Sequence, residues 1–415
     1  MKSNRRAFLG QLGLGLTALE VRSQNYLSEL PEETFWNAVR RQFPLTDGRV
    51  YLNNGTFGPS PTPVLKAIKD SLDKTNGTGE YGHTGKFRQT LANFVKVTAK
   101  EVSLTHNTTE GINIICWGLN LKQGDEIIVS LHEHVGNALP WLNRAKLHGI
   151  KIIPFEPKST AEENFDLIKS LVTPRSKVIA IPHITCTTGL VLPIKEISNF
   201  ARSKEIFTAI DGAHGAGTFD LDLKELGCDS YATSCHKWML GPNGTGFLYI
   251  KEEHLEKIQA YQVGAYSDAG WDLYSKPPQI MGYNPSAHKF DYGSQSTPLY
   301  AGAAASATFH ESIGRKKIEN RLTELSTYLY EGLSQLSDKL DIMTPEEEKS
   351  RICMVTFKPK ELDYKAFSKK ASQAGFRIRV VPESQLNAIR ISTHIYTSKT
   401  QIDDFVSFTK DTLFT

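Results

Sequence analysis

Residues 234–246 read SCHKWMLGPNGTG and follow the strand-like stretch LGCDSYAT. In this stretch one lysine, Lys237, stands between a histidine and a tryptophan, and three glycines and a proline come soon after it. A lysine on a solvated surface needs no such neighbours, whereas backbone that packs closely around a buried group often needs glycine. The stretch therefore predicts a lysine held in a cleft at the end of a strand.

The sequence on both sides of this lysine alternates between two patterns. Short apolar runs that indicate buried strands are EIIVS (126–130), KIIPF (151–155), KVIAIPHI (177–184) and FTAIDGA (207–213). Residues 192–204 have apolar side chains at helical spacing instead. Strands that alternate with helices predict an α/β fold with a largely parallel sheet. Ligands bind outside the carboxyl ends of the strands in such sheets, so the motifs that follow strands are the most informative.

The length of 415 residues predicts more than one domain. We assign residues 1–25 to a signal segment, residues 26–300 to a large domain with an N-terminal arm, and residues 301–415 to a smaller C-terminal α/β domain. Residues 262–298 are rich in Gly, Pro, Tyr and Ser and have little periodicity, which predicts a long ordered loop region.

The composition excludes several classes of protein. Hydrophobic residues make up 40% and charged residues 22%, as in a soluble globular protein. The net charge of +3 is spread among interspersed signs, which argues against a nucleic-acid partner, and no apolar run is long enough for an integral membrane segment. The five cysteines are odd in number and form no CxxC pair, which argues against a disulfide framework and a zinc site.

The first residues resemble a twin-arginine export signal. Arg5 and Arg6 precede Phe8, Leu9 and a short, glycine-diluted apolar stretch. This pattern predicts a periplasmic or exported protein. The alternative is an ordinary amphipathic segment on a cytoplasmic protein.

Two further strand-end motifs accompany Lys237. Asp211 in TAIDGAHGAG stands at the carboxyl end of a strand, and Thr108 and Thr109 open an amphipathic helix in HNTTEGINIICWGL. Taken alone, such an aspartate is often a turn former and such threonines are often helix caps. A helix start is also a favourable site for an anion, because its amide groups are free and its dipole is positive there.

The three motifs together point to one cofactor. A lysine amine attacks a carbonyl only when it is neutral, which requires desolvation or nearby positive charge. A reactive lysine, an anion-binding helix start and a strand-end aspartate suit pyridoxal phosphate. In this hypothesis Lys237 bonds to the aldehyde, the helix start holds the phosphate and Asp211 pairs with the ring nitrogen.

With these motifs the chain resembles the class V aminotransferases, pyridoxal-phosphate-dependent enzymes of fold type I. The resemblance runs from VYLNNGTFGPSP (50–61) to IRISTHIYTS (389–398) and is most specific in SxHKWxxGPxGTG and DGAH. The resemblance is to the branch that contains isopenicillin N epimerase-like proteins and, more distantly, cysteine desulfurases. It implies a large domain with a mostly parallel sheet of the seven-stranded type and a smaller C-terminal α/β domain.

The resemblance implies roles for individual side chains. Lys237 would be the catalytic residue and the attachment point of the cofactor, with Asp211 on the pyridine nitrogen. The other implied contacts are Ser234 and His236 at the phosphate, His214 near the phenolic oxygen, His134 stacked on the ring, and Arg390 at the substrate carboxylate. Ser294 lies in DYGSQSTP (291–298), which matches a segment that reaches the phosphate of the neighbouring subunit. The resemblance therefore implies a homodimer with shared active sites.

Three positions depart from the family pattern. The stretch RIRVVPESQLNAIR (377–390) lacks the nucleophilic cysteine of the desulfurases, which argues against sulfur abstraction from cysteine. Cys186 replaces an asparagine near the ring oxygen, so Thr185 or Thr187 would take over that contact. Ser294 stands where a threonine is usual and keeps the hydroxyl.

The reaction itself remains open at this stage. The substrate would be a small amino compound, and Lys237 would be the general base at its α-carbon. We rank transamination first and epimerisation second, with a C–S or β-lyase as a further alternative. An exported enzyme acting on a peptide-like secondary metabolite fits both the N-terminal signal and the aromatic loop region.

Two alternatives come from other classes. A metal-dependent hydrolase could use His132, His134, Asp211 and His214, although a third ligand at a fitting spacing from the HxH pair is missing. We therefore favour the stacking role for His134 and predict no metal. A catalytically silent binding protein could keep the same fold without a reactive lysine.

Overall fold

The computed structural model describes residues 31–414, so the expected signal segment at 1–25 lies outside the described residues. The helices are α1 Glu32–Arg40, α2 Thr62–Thr78, α3 Gly85–Phe94, α4 Thr108–Gly118, α5 Val135–His148, α6 Ala161–Leu171, α7 Ile194–Ser203, α8 Leu223–Leu226, α9 Thr297–Ile313, α10 Arg315–Ser334, α11 Tyr364–Gln373 and α12 Lys399–Phe414. The strands are β1 Val50–Tyr51, β2 Val102–Thr105, β3 Glu126–Ser130, β4 Lys151–Phe155, β5 Ser176–Pro182, β6 Phe207–Asp211, β7 Ser230–Ser234, β8 Gly246–Ile250, β9 Trp271–Asp272, β10 Gln279–Ile280, β11 Leu340–Ile342, β12 Met354–Pro359, β13 Phe376–Arg377, β14 Arg379–Val381 and β15 Ala388–Ser392.

The largest sheet has seven strands in the order β2-β8-β7-β6-β5-β3-β4. Strands β4, β3, β5, β6 and β7 pair in parallel, whereas β8 pairs antiparallel with both β7 and β2. Only β8 therefore runs against the others, and the predicted α/β fold with a mostly parallel sheet is confirmed.

Each face of this sheet packs against its own core. Ile128 and Ile179 lie side by side in one buried cluster, while their neighbours Ile127 and Val178 lie in another. Successive side chains of a strand point to opposite faces, so both faces are covered and the strands are apolar throughout. This double burial is why the strands read as continuous apolar runs.

The carboxyl ends of five strands meet at one edge of the sheet. Strands β3, β5, β6 and β7 are mutually parallel, and β2 shares their direction because β8 is antiparallel to both β2 and β7. The segments that follow these five strands begin with residues 106–109, 131–134, 183–188, 212–214 and 235–237. Most of the predicted site residues lie in these segments or end the strands before them.

A second sheet lies in the C-terminal part of the chain, with four antiparallel strands in the order β11-β12-β15-β14. The N-terminal β1 pairs in parallel with β13, so the arm also contacts this part. The expected domain boundary at residues 300 and 301 falls inside α9 and stays a prediction. Between residue 262 and the start of α9 there are only the short strands β9 and β10 and one 3-10 turn.

Within residues 31–414, no helix combines the length and the apolar character needed to cross a bilayer.

Candidate active site

A pocket of about 290 Å³ lies at the edge where the five strands end. Nine of the ten predicted site residues line it: Thr108, Thr109, His134, Asp211, His214, Ser234, His236, Lys237 and Arg390. The tenth, Ser294, lines a different pocket together with Tyr81 and Arg88. That position is compatible with the implied contact to another subunit, which a single chain does not test.

A larger cavity of about 540 Å³ lies beside Thr109 and Trp117 and is lined mainly by apolar surface. We place the active site in the smaller pocket because the partly buried Lys237 meets the buried Asp211 and Arg390 there. Buried charges of this kind are costly unless a ligand or partner compensates them.

The glycines around Lys237 allow the backbone to approach closely. A Cβ on Gly58 would lie 1.9 Å from the carbonyl oxygen of Lys237, and one on Gly217 would lie 2.4 Å from the backbone of Trp238. A Cβ on Gly246 would lie 2.3 Å from the carbonyl oxygen of Thr233. The glycine-rich sequence is therefore required by packing, and the predicted cleft around Lys237 is present.

The side chain of Lys237 is partly buried where it lines the pocket, and desolvation lowers the pKa of its amine to about 8 while Asp211 opposes this shift. A larger fraction of the amine is thus neutral near pH 7 than for a solvated lysine, whose pKa is 10.5. Asp211 accepts a hydrogen bond from the Ala213 amide through Oδ1 at 2.9 Å, which leaves Oδ2 for a donor in the pocket.

His214 is held in one protonation state. The indole Nε1 of Trp238 donates to its Nδ1 at 2.9 Å, and its Nε2 lies 3.3 Å from Nζ of Lys237. Burial and the nearby Lys237 hold the pKa of His214 well below its usual value, so the ring is neutral with its proton on Nε2. That proton can be donated only to a neutral lysine amine. Trp238 is fully buried, and its indole orients the His214 side chain.

His134 is likewise neutral and fixed. It caps the start of α5, where its Nδ1 accepts a hydrogen bond from the Gly136 amide at 3.0 Å. Burial, and secondarily Lys237, lowers its pKa to about 4. A neutral, oriented imidazole at the wall of the pocket suits contact with the face of a planar ring.

The start of α4 provides the anion-binding side of the pocket. The amide of Thr108 donates to Oγ of Ser234 at 2.9 Å, and the two hydroxyl groups lie 2.8 Å apart. His236 lines the same side, and its buried Nδ1 has no hydrogen-bond partner among the described residues. Two hydroxyl groups and a free imidazole nitrogen beside a helix start fit a phosphate.

Arg390 lies on the opposite wall and is 1% exposed. Its guanidinium donates to the carbonyl oxygen of Cys186 and, at 3.2 Å, to the hydroxyl of Thr56. No carboxylate within residues 31–414 forms an ion pair with it, and its buried Nε lacks a partner. A buried guanidinium without a carboxylate fits an anionic ligand.

The neighbourhood of Cys186 differs from the expectation. Cys186 itself lines the pocket. The hydroxyl groups of Thr185 and Thr187 instead contact Thr188 at 2.9 Å and His132 at 3.1 Å. Neither threonine lines the pocket, so the expectation that one of them contacts the ring oxygen is not supported. Burial raises the pKa of the Cys186 thiol to about 11, which keeps it neutral.

Two residues of the site were missed from the sequence. Glu133 is fully buried, and both of its oxygens lack a well-formed hydrogen bond among the described residues. Burial, and next the charge of Asp211, holds the pKa of Glu133 well above its usual range. Arg379 lines the pocket beside Arg390. No local pattern marks either residue, although both are close to predicted site residues in the chain.

The four side chains of the alternative hydrolase do not converge on a metal site. Residues 131–134 form a turn rather than a strand, so His132 and His134 do not share a strand face. His132 instead contacts Glu156 at 3.0 Å. In the described part of the chain, the one cluster with metal-binding geometry is Asp229, Glu253 and His254, at the opposite edge of the sheet.

These observations test whether the residues fit pyridoxal phosphate. Lys237, whose amine has a lowered pKa, would hold the aldehyde, Asp211 would face the ring nitrogen, and the start of α4 would hold the phosphate. The donors and acceptors match the chemistry of each part of the group, so the pocket fits the cofactor.

Known proteins are similar over nearly the whole described chain. The family model for Aminotransferase class-V matches residues 50–405. A probable cysteine desulfurase of Halalkalibacterium halodurans is 30% identical over 344 residues, which cover 77% of this chain and 81% of that protein. An isopenicillin N epimerase of Streptomyces clavuligerus is 27% identical over 394 residues, which cover 89% and 96% respectively.

Solved structures are also similar to this chain over most of its length. The cystine C–S lyase C-DES, in complex with its reaction product cysteine persulfide, has a TM-score of 0.81 and 26% identity, covering 88% of this chain and 98% of its own. A C-DES mutant with glycine covalently linked to its pyridoxal phosphate cofactor has the same TM-score. Pyridoxal phosphate is therefore the cofactor that the pocket holds, and the chain belongs to the class V aminotransferase family of pyridoxal-phosphate-dependent enzymes.

Proposed function

We propose that this enzyme removes a substituent from the β-carbon of an amino acid, as a C–S or related β-lyase. The observation that carries this proposal is a lysine of lowered pKa in a pocket whose only lining cysteine, within residues 31–414, is a neutral thiol. Such a pocket offers a base for the α-proton but no thiolate to receive sulfur. Similarity to a cystine C–S lyase supports the same reaction class.

The chain supplies binding and proton transfer. Arg390 would pair with the α-carboxylate, since its planar guanidinium can form two parallel hydrogen bonds. Bound pyridoxal phosphate supplies an electron sink for the α-carbon. The free amine of Lys237 would accept the α-proton, and Nε2 of His214, 3.3 Å away, would orient that amine in its neutral form.

Cys186 separates this proposal from desulfurase chemistry. A cysteine desulfurase needs a thiolate to take up sulfur, and the loop that would carry it, residues 382–387, contains no cysteine. The pKa of Cys186 near 11 leaves almost no thiolate at pH 7. The leaving group would therefore depart without covalent transfer to the protein.

Epimerisation is the second candidate, because isopenicillin N epimerases are similar over most of their length. Transamination, which the sequence ranked first, remains a prediction. The relatives described above are named for C–S cleavage and for epimerisation.

Product analysis distinguishes the three reactions. We would incubate the holoenzyme with cystine and with other amino acids that carry a leaving group on the β-carbon, without a 2-oxo acid acceptor. Elimination should release equal amounts of ammonia and 2-oxo acid. Turnover that requires an added oxo acid would indicate transamination, and inversion of the α-carbon without ammonia would indicate epimerisation; either result would contradict the proposal.

We also propose a homodimer in which the segment around Ser294 completes the partner's site. Val135, Leu139 and Leu142 are exposed apolar side chains on α5, and they line a surface pocket that shares His134 and Thr109 with the active site. An apolar surface of this kind is characteristic of an interface. Light scattering should give twice the mass of one chain, and a monomer would contradict the proposal.

Export by the twin-arginine route is proposed from Arg5 and Arg6. Fractionation of cells that produce the full-length protein should place it outside the cytoplasm. Replacement of both arginines by lysine should retain it inside, and an unchanged distribution would contradict this route.

A further inference from the structure

We infer that the pocket contains a second anion-binding position, formed by Arg379, with Glu383 as its exchangeable counter-ion. The substrate would accordingly be an amino acid with a second carboxylate in its side chain. This inference rests on the proposed function, because it names the substrate class of the same site.

The first observation is the position of the two arginines. In the antiparallel pairing of β14 with β15, Arg379 stands directly opposite Arg390, and both side chains line the pocket. Residues directly opposite on one face have Cβ atoms about 5 Å apart, and like charges there are destabilising. Two guanidinium groups at such a pair require anions to offset their repulsion.

The second observation is that the chain supplies too few anions. Arg390 contacts a carbonyl oxygen and a hydroxyl group, not a carboxylate. Arg379 contacts Glu383 through a single pair of atoms, Nη2 and Oε1. The Nη1 of Arg379 and the Oε2 of Glu383 are buried and have no partner among the described residues. This pair is therefore not the two-point contact that arginine and carboxylate form at best.

The third observation concerns the loop that carries Glu383. Three residues of this loop have φ values in the left-handed region, which residues other than glycine rarely adopt: Ser384 at 51°, Gln385 at 57° and Asn387 at 49°. The hydroxyl of Ser384 donates to the carbonyl oxygen of Leu131 at 2.9 Å, which fixes the loop across the sheet edge. A strained, anchored loop that presents one carboxylate to an arginine of the pocket is typical of a functional segment.

These observations define what the pocket would accept. The α-carboxylate would pair with Arg390. A side-chain carboxylate would accept hydrogen bonds from two N–H groups of the Arg379 guanidinium and displace Glu383. Glu383 can leave because its side chain is already 31% exposed, against 21% for Arg379. A neutral side chain offers no replacement for Glu383 and gains nothing from Arg379.

The test compares ligands that differ only in charge. The holoenzyme would be titrated with aspartate and asparagine, and with glutamate and glutamine, following the absorbance of the cofactor. Calorimetry with glutarate and its monoamide, which have no amino group, gives a second reading that needs no reaction. A charged hydrogen bond in the pocket should make the acidic member of each pair bind about tenfold more tightly or better.

Variants locate the effect. Arg379→Gln should remove the preference, so that the acidic member and the amide of each pair bind with similar affinity. Glu383→Gln should increase the affinity for the acidic members, because the competing carboxylate is gone. Arg377→Gln is the matched control, since Arg377 is an exposed arginine on the neighbouring strand and should change nothing.

Equal affinity within each pair, a preference that survives Arg379→Gln, or tighter binding of lysine than of glutamate would each overturn the inference. The proposed function fails separately. If acidic ligands bind more tightly through Arg379 but no substrate undergoes elimination, the second anion position stands and the lyase proposal falls. If neutral substrates undergo elimination and a side-chain carboxylate gives no preference, the lyase proposal stands and the second anion position falls.

Discussion

The two walls of the pocket are built differently. On the wall formed by the seven-stranded sheet, His214 has partners on both nitrogens and His134 is fixed by the Gly136 amide. On the wall formed by β14 and β15, Arg390 has no carboxylate among the described residues and Arg379 has a one-point contact. The two histidines of the first wall are already oriented by hydrogen bonds within the chain, whereas the two arginines of the second wall keep donors free for a substrate.

This difference separates chemistry from specificity. Groups that attach the cofactor and move protons must be oriented before the substrate arrives, so their hydrogen bonds are already formed. Groups that select a substrate keep binding capacity free, at the cost of unpaired polar atoms in the empty pocket. Substitutions on the first wall should therefore change rates, and substitutions on the second should change affinities.

The largest expected effect is at Lys237. Lys237→Ala removes both the attachment point of the cofactor and the base for the α-proton, so turnover should fall on the order of 10³-fold or more. Borohydride reduction of the wild type followed by peptide mapping should place a pyridoxyl group on Lys237. The melting temperature should change little, which distinguishes loss of chemistry from loss of fold.

Lys257→Ala is the matched control, because Lys257 is exposed and lies outside the pocket. It should retain full activity. A Lys237→Ala protein that still turns over substrate, or a wild type that carries the pyridoxyl group on another lysine, would mean that the first wall is not the catalytic one.

The next effect is expected at Arg390 and tests the second wall. Arg390→Gln removes a charged hydrogen-bond donor, which stabilises a bound anion by about 1.5–3 kcal/mol. KM should therefore rise roughly 10- to 100-fold, with a much smaller change in kcat. Steady-state kinetics measure this split.

Arg390→Lys keeps the charge but loses the planar fork, so it should recover only part of the affinity. Because Arg390 is buried, melting temperatures of both variants must be compared with the wild type. A fall in kcat with unchanged KM would contradict the proposal that the second wall determines substrate affinity rather than rate.

The sequence predicted the first wall better than the second. The strands EIIVS and KIIPF have the bounds read from the sequence, because both are short apolar runs; EIIVS is buried throughout, and KIIPF lies at the edge of the sheet. Lys237 and Asp211 were found because they directly follow or end such strands. These two residues can be predicted because their positions next to apolar strands are visible in the sequence itself.

Other features depend on contacts between distant residues and leave no local pattern. Arg379 faces Arg390 only because β14 and β15 pair in one particular register. The burial of Glu133 follows from the packing of several elements, and the hydrogen bond of Trp238 depends on the orientation of its ring. The role of Ser294 requires a second copy of the chain.

A smaller effect is expected at Trp238. Trp238→Phe removes the indole donor that keeps the proton of His214 on Nε2, so the neutral amine of Lys237 loses a hydrogen bond. The pKa of Lys237 should rise from about 8 towards the ordinary 10.5, by about one unit if the hydrogen bond contributes about 1.4 kcal/mol. Since the neutral amine takes up the aldehyde, uptake by the apoprotein at pH 7 should slow about tenfold.

The measurement is the rate of pyridoxal phosphate uptake against pH. The rate should rise with pH and level off above about pH 8 in the wild type, and at a higher pH in the variant. Trp141→Phe is the control, because Trp141 is also buried and its indole donates to Asn137. If both variants shift the profile equally, the effect comes from packing rather than from His214.

The smallest effect on activity is expected at Glu133, which lies behind the first wall. Because burial raises its pKa well above 4.5, the carboxyl is neutral over much of the acid range, and Glu133→Gln keeps its shape and its neutrality. Activity at neutral pH should therefore change only a few-fold. The pH dependence of stability should change more clearly.

The sign of that change follows from the raised pKa. The proton on Glu133 stabilises the folded state fully below the unfolded pKa, and this stabilisation is lost as the pH rises towards the folded pKa. Glutamine has no proton to lose, so the melting temperature of Glu133→Gln minus that of the wild type should grow as the pH rises above about 4.5. A constant difference would show that Glu133 is already ionised in the folded protein, and the first wall would then contain an unpaired buried charge like the second.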